Sequence, residues 1–245
     1  MLAKNPVIYS DYPDPDVIRV GDTYYLVTTT MHFFPGAHIL SSRDLVNWQH
    51  EAYAYDIFGE TEKQQLKNGG IYGQGMWAPC LRYHDGVFHL VFCCNDTRRC
   101  YHYTASNIRG PWEKSYIEGF YHDTTILFDD DGKVYIYCGY ERSFMAQVNP
   151  DNMYEVSGET LIEHIIPIEP RPEDGFTEKE SLFFEACSPR KVGDTYYLIY
   201  SPKRGSRLAY ATSDKPTGPF KYRGYIVDNG VDFPGGNDHG SIAQI

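Results

Sequence analysis

The stretch DVIRVGDTYYLVTTT, residues Asp16–Thr30, decides the fold. Two runs rich in β-branched and aromatic residues flank the pair Gly21-Asp22. Such a pair between alternating strands is a strong hairpin signal, because a tight turn needs residues that tolerate positive φ. The unit returns as APCLRYHDGVFHLVF (Ala78–Phe92), TTILFDDDGKVYIYCG (Thr124–Gly139) and CSPRKVGDTYYLIYS (Cys187–Ser201). The corresponding turn pairs are Asp85-Gly86, Asp131-Gly132 and Gly193-Asp194, so successive turns lie 64, 46 and 62 residues apart. Each hairpin is followed by a third strand-like run ending in a polar turn: AHILSSRDLVNW, CYHYTASNIRGPW, MAQVNPDN and RLAYATSDKPTGPF. No helical period is sustained, and ETEKQQLKN (Glu60–Asn68) reads as loop or a single turn.

Four-stranded blades joined radially need about this period, whereas a β-sandwich would not repeat one hairpin at it. The pattern predicts an all-β propeller with four units visible and a fifth begun at GGNDHGSIAQI, where the chain stops. Residues 1–245 accordingly read as one propeller domain that ends within its fifth blade. Closing that blade would take on the order of 40–60 further residues.

Composition narrows the partners. A net charge of −11 argues against nucleic acid or an anionic membrane surface, both of which select basic proteins. No apolar run approaches the roughly 18 residues that span a bilayer. The first ten residues, MLAKNPVIYS, lack the apolar core of a signal peptide, which leads to the expectation of a cytoplasmic protein unless an export signal has been removed. The six cysteines, Cys80, Cys93, Cys94, Cys100, Cys138 and Cys187, form no CxxC pair, so no zinc site is expected. Most sit in strand-like apolar stretches, where a reduced cysteine acts as a small buried hydrophobe. An aromatic content of 16% favours strands and surfaces that stack on flat partners such as sugar rings.

Just before the first hairpin, Asp11, Asp14 and Asp16 alternate with Pro13 and Pro15. Proline fixes φ and biases its predecessor towards extended backbone, so Asp14 is pinned between two stiff residues. In a propeller the first strand of each blade lines the central channel, and equivalent positions converge at one end of it. Counting back from the second residue of each turn pair, Asp123, Glu185 and Trp77 each stand nine residues earlier, and Asp14 eight. Three carboxylates and a tryptophan thus share nearly one register.

These residues resemble glycoside hydrolase family 43. The matching stretches are YPDPDVIRVGDTYYL, FFPGAHILSSRDLVNW, GMWAPCLRYHDGVFHL, HDTTILFDDDGKVYIY, FFEACSPRKVGDTYYLIYS and NDHGSI, in order across nearly the whole chain. The resemblance implies a five-bladed propeller that cleaves terminal xylose or arabinose with inversion. It implies that Asp14 is the general base, Asp123 the auxiliary aspartate that orients the acid, and Glu185 the general acid. It further implies that Trp77 is a sugar-stacking wall, with Phe33 a weaker candidate, and that His239 is a channel histidine near which a calcium ion or its water is found. No cofactor is required. Many members carry an aromatic where this chain has Met31, which alters the sugar pocket. The DDDGK run fails the EF-hand pattern, since Leu127 and Cys138 occupy the first and last ligand positions, and reads as a hairpin turn.

The chemistry fits those roles. Inversion requires one protonated carboxyl and one carboxylate about 6.5–9.5 Å apart, with water between base and sugar. A carboxylate beside the acid favours its protonated form through like-charge repulsion. The expected substrates are xylo- or arabino-oligosaccharides, with the oligomeric state left open. Two other readings stand: a non-catalytic carbohydrate-binding propeller, and a retaining fructosidase-type propeller. The latter lacks its Asn-Asp-Pro-Asn motif here, since Asp14 follows Tyr12-Pro13.

Overall fold

A computed structural model describes residues 3–4, 6–139, 143–154, 163–164, 184–202, 207–228 and 239–241. Among them there is no helix, and hence none long and apolar enough to cross a membrane. The strands form four antiparallel four-stranded sheets, each built from strands consecutive in the chain. They fall into two compact units, Met1–Tyr116 and Ile117–Ser241.

In the first unit, one sheet is β1 (Asp16–Val20), β2 (Thr23–Thr28), β3 (Gly36–Ser42) and β4 (Gln49–Tyr55). The other is β5 (Met76–His84), β6 (Val87–Cys94), β7 (Arg99–Ala105) and β8 (Glu113–Ile117). The pairings Val20↔Thr23 and His84↔Val87 leave two-residue turns, with Gly21 and both Asp85 and Gly86 at positive φ. Val27, Ile39, Leu81, Leu90, Phe92 and Tyr101 make a continuous core in which each is essentially inaccessible. Burying each large side chain contributes roughly 1.5–3 kcal/mol. A buried ion pair joins the two sheets: Asp16 Oδ2 accepts from Leu81 N at 2.8 Å and from Arg82 Nη1 at 2.6 Å. The Glu60–Asn68 segment is a single turn, with Gln65 N donating to Thr61 O and Lys67 N to Glu62 O.

The second unit holds β9 (Thr125–Phe128), β10 (Val134–Cys138), β11 (Phe144–Val148) and β12 (Glu163–His164). Its other sheet is β13 (Phe184–Val192), β14 (Thr195–Pro202), β15 (Arg207–Ser213) and β16 (Lys221–Asp228). Leu127, Tyr137, Cys187, Leu198 and Ala209 form its core. The third hairpin differs from the expected two-residue turn at Asp131-Gly132. Phe128 pairs with Val134, so residues 129–133 form the loop, closed by Gly132 N donating to Asp129 O at 3.0 Å. The physical reason is Asp129, which is buried and drawn across to the neighbouring sheet. Its carboxylate accepts from Lys191 Nζ at 2.8 Å and from Tyr196 OH at 2.7 Å.

All six cysteines are buried, and none is in a disulfide. The fifth unit, expected from Gly235, lies outside the described residues except for His239, Gly240 and Ser241.

Candidate active site

Every first strand begins with the same kink. Pairing slips by one residue between Trp77 and Cys80 on β5 and between Glu185 and Ser188 on β13, with Ala78 (φ 32°) and Ala186 (φ 56°) in the left-handed region. Ahead of β1, Thr29 N donates to Pro13 O at 3.0 Å and Asp14 has φ 52°. Ahead of β9, Gly139 N donates to His122 O at 2.9 Å and Asp123 has φ 51°. A bulge of this kind bends the strand and re-aims the adjoining side chains, and it is commonly found beside functional sites. Left-handed backbone is uncommon for residues other than glycine, and aspartate tolerates it better than most.

The kink revises the register read from the turns. Asp14, Ala78, Asp123 and Ala186 occupy the left-handed position, while Pro13, Trp77, His122 and Glu185 precede it. Asp123 and Glu185 are therefore on adjacent positions of the repeat. The five-residue third loop misaligns a count taken from Gly132. His122, which the sequence reading did not single out, is the residue equivalent to Glu185 and Trp77. Its signal was available in YHDTT, directly before Asp123, once sheets are aligned by pairing.

In the first unit, Asp14 is held firmly. Thr29 Oγ1 donates to Asp14 Oδ2 at 2.6 Å, and Thr28 Oγ1 donates to Pro13 O at 2.5 Å. The chain continues to Met31, which bridges to Met76, the neighbour of Trp77, with Met76 N donating to Met31 O at 3.1 Å. Trp77 is half-buried at its kink, whereas Phe33 is 66% exposed. Of the other two N-terminal aspartates, Asp16 is committed to Arg82 and Asp11 is exposed.

In the second unit, Asp123 is buried between two imidazoles. His122 Nε2 lies 3.5 Å from Asp123 Oδ1 and 3.7 Å from Glu185 Oε1, and His239 Nε2 lies 3.6 Å from Asp123 Oδ2. These are electrostatic contacts, too long for good hydrogen bonds. Glu185 keeps 23% of its side chain accessible, against 4% for Asp123. Beside them, burial pushes the Cys187 thiol up to about 12, and the Asp123 and Glu185 charges add to the effect. Cys187 therefore stays protonated and packs as a core residue. Ligand atoms of His122, Asp123 and Glu185 lie within 4.8 Å of one another. Calcium takes six to eight oxygens, and two carboxylates among imidazoles do not make such a cage from the described residues. A surface pocket of about 360 Å³ near Tyr53, Tyr103, Arg109 and Trp112 includes none of the candidate residues.

Comparison with known proteins bears on this arrangement. The model of the family described as glycosyl hydrolases family 43 matches residues 3–221. A non-reducing end alpha-L-arabinofuranosidase of Bacteroides ovatus, BoGH43B, is 32% identical over 235 residues, covering 89% of this chain and 40% of that protein. A xylan 1,3-beta-xylosidase of a Vibrio species is 37% identical over 144 residues, covering 54% of this chain and 26% of that protein. The chain thus spans less than half the length of these curated relatives. Among solved structures, a bifunctional GH43-CE protein of Bacteroides eggerthii superposes with a TM-score of 0.79 at 38% identity, covering 91% of this chain and 29% of that one. The likeness establishes the β-propeller class, with the four sheets as blades.

Proposed function

The chain belongs to glycosyl hydrolase family 43, and from that premise we propose that it removes terminal xylose or arabinose from plant cell-wall oligosaccharides, with inversion at the anomeric carbon. The observation that carries the reading is the difference in accessibility between the two carboxyl groups of the second unit. Glu185, partly open, is suited to reach a leaving oxygen; Asp123, buried beside the same imidazole, is suited to orient it. Glu185 gives its proton to the glycosidic oxygen as the C–O bond breaks. Asp14 takes a proton from the water that forms the new bond to the anomeric carbon. Thr29 steadies the Asp14 carboxylate for that step. For inversion, the acid and base carboxyls must stand about 6.5–9.5 Å apart in the working enzyme. Trp77 supplies a wall for the departing sugar and His239 holds Asp123 in place.

The test compares leaving groups. Glu185→Ala should reduce turnover of xylobiose by roughly 10²–10⁴-fold, the scale of general acid catalysis. Turnover of an activated aryl glycoside, which departs without protonation, should fall far less. Proton NMR of the first-formed sugar should show the inverted anomer. Equal losses on both substrates would remove Glu185 from the acid role.

A further inference from the structure

Two loops of the first unit bring three aromatic rings together at its surface. The His32 ring lies 4.4 Å from that of Phe33, tilted by 34°, and 4.5 Å from that of Tyr72, tilted by 44°. Phe33 is 66% exposed and Tyr72 86%. The loops are clamped rather than loosely apposed. Met31 bridges Met76, and Gly73 N donates to His32 Nδ1 at 3.3 Å. At Gly75 (φ +89°) a Cβ would stand 2.3 Å from Met31 O, so only glycine permits this approach. Large rings held rigidly in water forfeit the gain of burial, and an exposed apolar patch of this kind marks a binding surface.

We propose that Phe33, His32 and Tyr72 form a stacking platform for the part of the substrate beyond the first sugar on the leaving-group side, and that its ligand is a neutral chain of β-linked pyranose units. The inference rests on the hydrolase reading above. Position supports it: the platform begins at Met31, two residues after Thr29, which holds Asp14, and Met31 is bridged to the neighbour of Trp77. Chemistry selects the ligand. A β-linked xylopyranose carries its substituents equatorially, so each ring presents flat C–H faces to an aromatic surface. A puckered furanose offers no comparable face. Residues Met31–Phe34 and Gly69–Gln74 contain no Asp, Glu, Lys or Arg, which suits an uncharged sugar rather than a uronate.

The experiment measures kinetics on xylobiose, xylotetraose and the α-1,5-linked arabinotetraose for the full chain and its Tyr72→Ala, Phe33→Ala and Tyr72→Phe variants. Exposure of Tyr72 and Phe33 makes misfolding of these variants a minor concern, and circular dichroism checks it. Tyr72→Ala and Phe33→Ala should each raise KM for xylotetraose about 5–10-fold, which corresponds to roughly 1–1.4 kcal/mol of lost binding. Tyr72→Ala should raise KM for xylobiose less than about two-fold, and Tyr72→Phe should behave as the parent, because the ring and not the hydroxyl is used. Equal changes on the di- and tetrasaccharide, or none, would overturn the platform. A length dependence confined to arabinotetraose would overturn the ligand class. A parent chain inactive on aryl xyloside and aryl arabinofuranoside alike would instead overturn the hydrolase reading, and binding of xylotetraose to Tyr72→Ala by calorimetry would still decide the platform.

Discussion

Replacing Asp16 by asparagine tests how the first unit divides labour among its clustered aspartates. Asp16 and Arg82 expose only 7% and 10% of their side chains, and Asp16 Oδ2 accepts from both Arg82 Nη1 and Leu81 N. Asparagine keeps the shape and one acceptor but leaves the guanidinium without its counter-charge. Breaking a buried pair by removing one partner costs about 3–5 kcal/mol, and the retained acceptor puts this variant near the lower end. Asp14→Asn is the control. Asparagine tolerates φ near the observed 52°, and its amide oxygen still accepts from Thr29 Oγ1, so the loss should stay below about 1 kcal/mol. The assay is urea unfolding followed by tryptophan fluorescence. All three tryptophans, Trp48, Trp77 and Trp112, lie in the first unit, so the signal reports on it specifically. With m of about 1–3 kcal/mol/M, the Asp16→Asn midpoint should fall by on the order of 1 M or more. Turnover should show the opposite ranking, with Asp14→Asn losing roughly 10²-fold or more as a missing general base. An Asp16→Asn variant of unchanged midpoint, or an Asp14→Asn variant that unfolds early while turning over normally, would refute the assignment.

Two further outcomes follow from the imidazoles. His122→Gln should lower kcat about ten-fold, roughly 1.4 kcal/mol of barrier, with KM little changed, since His122 places Glu185 and Asp123 rather than binding sugar; an unaltered kcat would make His122 a packing residue. In the first unit, His89 Nδ1 and His102 Nε2 lie 3.0 Å apart, and burial lowers both rings to about 4, helped by the charge of His84 on His89 and of His89 on His102. Since these folded-state values lie below the unfolded value near 6.5, the unfolded chain binds more protons in between, and stability is lost as pH falls from 6.5 towards 4. For His102, 6% exposed, the loss approaches about 3 kcal/mol, and for the more accessible His89 it is smaller. His102→Gln should flatten the dependence of the urea midpoint on pH across that window, and a slope equal to that of the parent would count against the pair as its source.

The hairpins were legible along the chain because their cause is local. Turn residues such as Gly21-Asp22 and Gly193-Asp194 tolerate the required φ, and alternating side chains then dictate which face is buried. The repeat of that unit is enough to predict four sheets and the propeller class, and it singles out Asp14, Trp77, Asp123 and Glu185 as residues near the start of a first strand. Tertiary contacts decided the rest. Asp129 is pulled to Lys191 and Tyr196 of the next sheet, which opens the third turn to five residues and moves the true equivalent of Glu185 to His122. Asp14 and Asp16 look interchangeable in PDPD, yet one meets a threonine at the kink and the other a buried arginine 66 residues away. A carboxylate's role depends on what surrounds it in space, and no spacing along the chain encodes the partner that folding delivers.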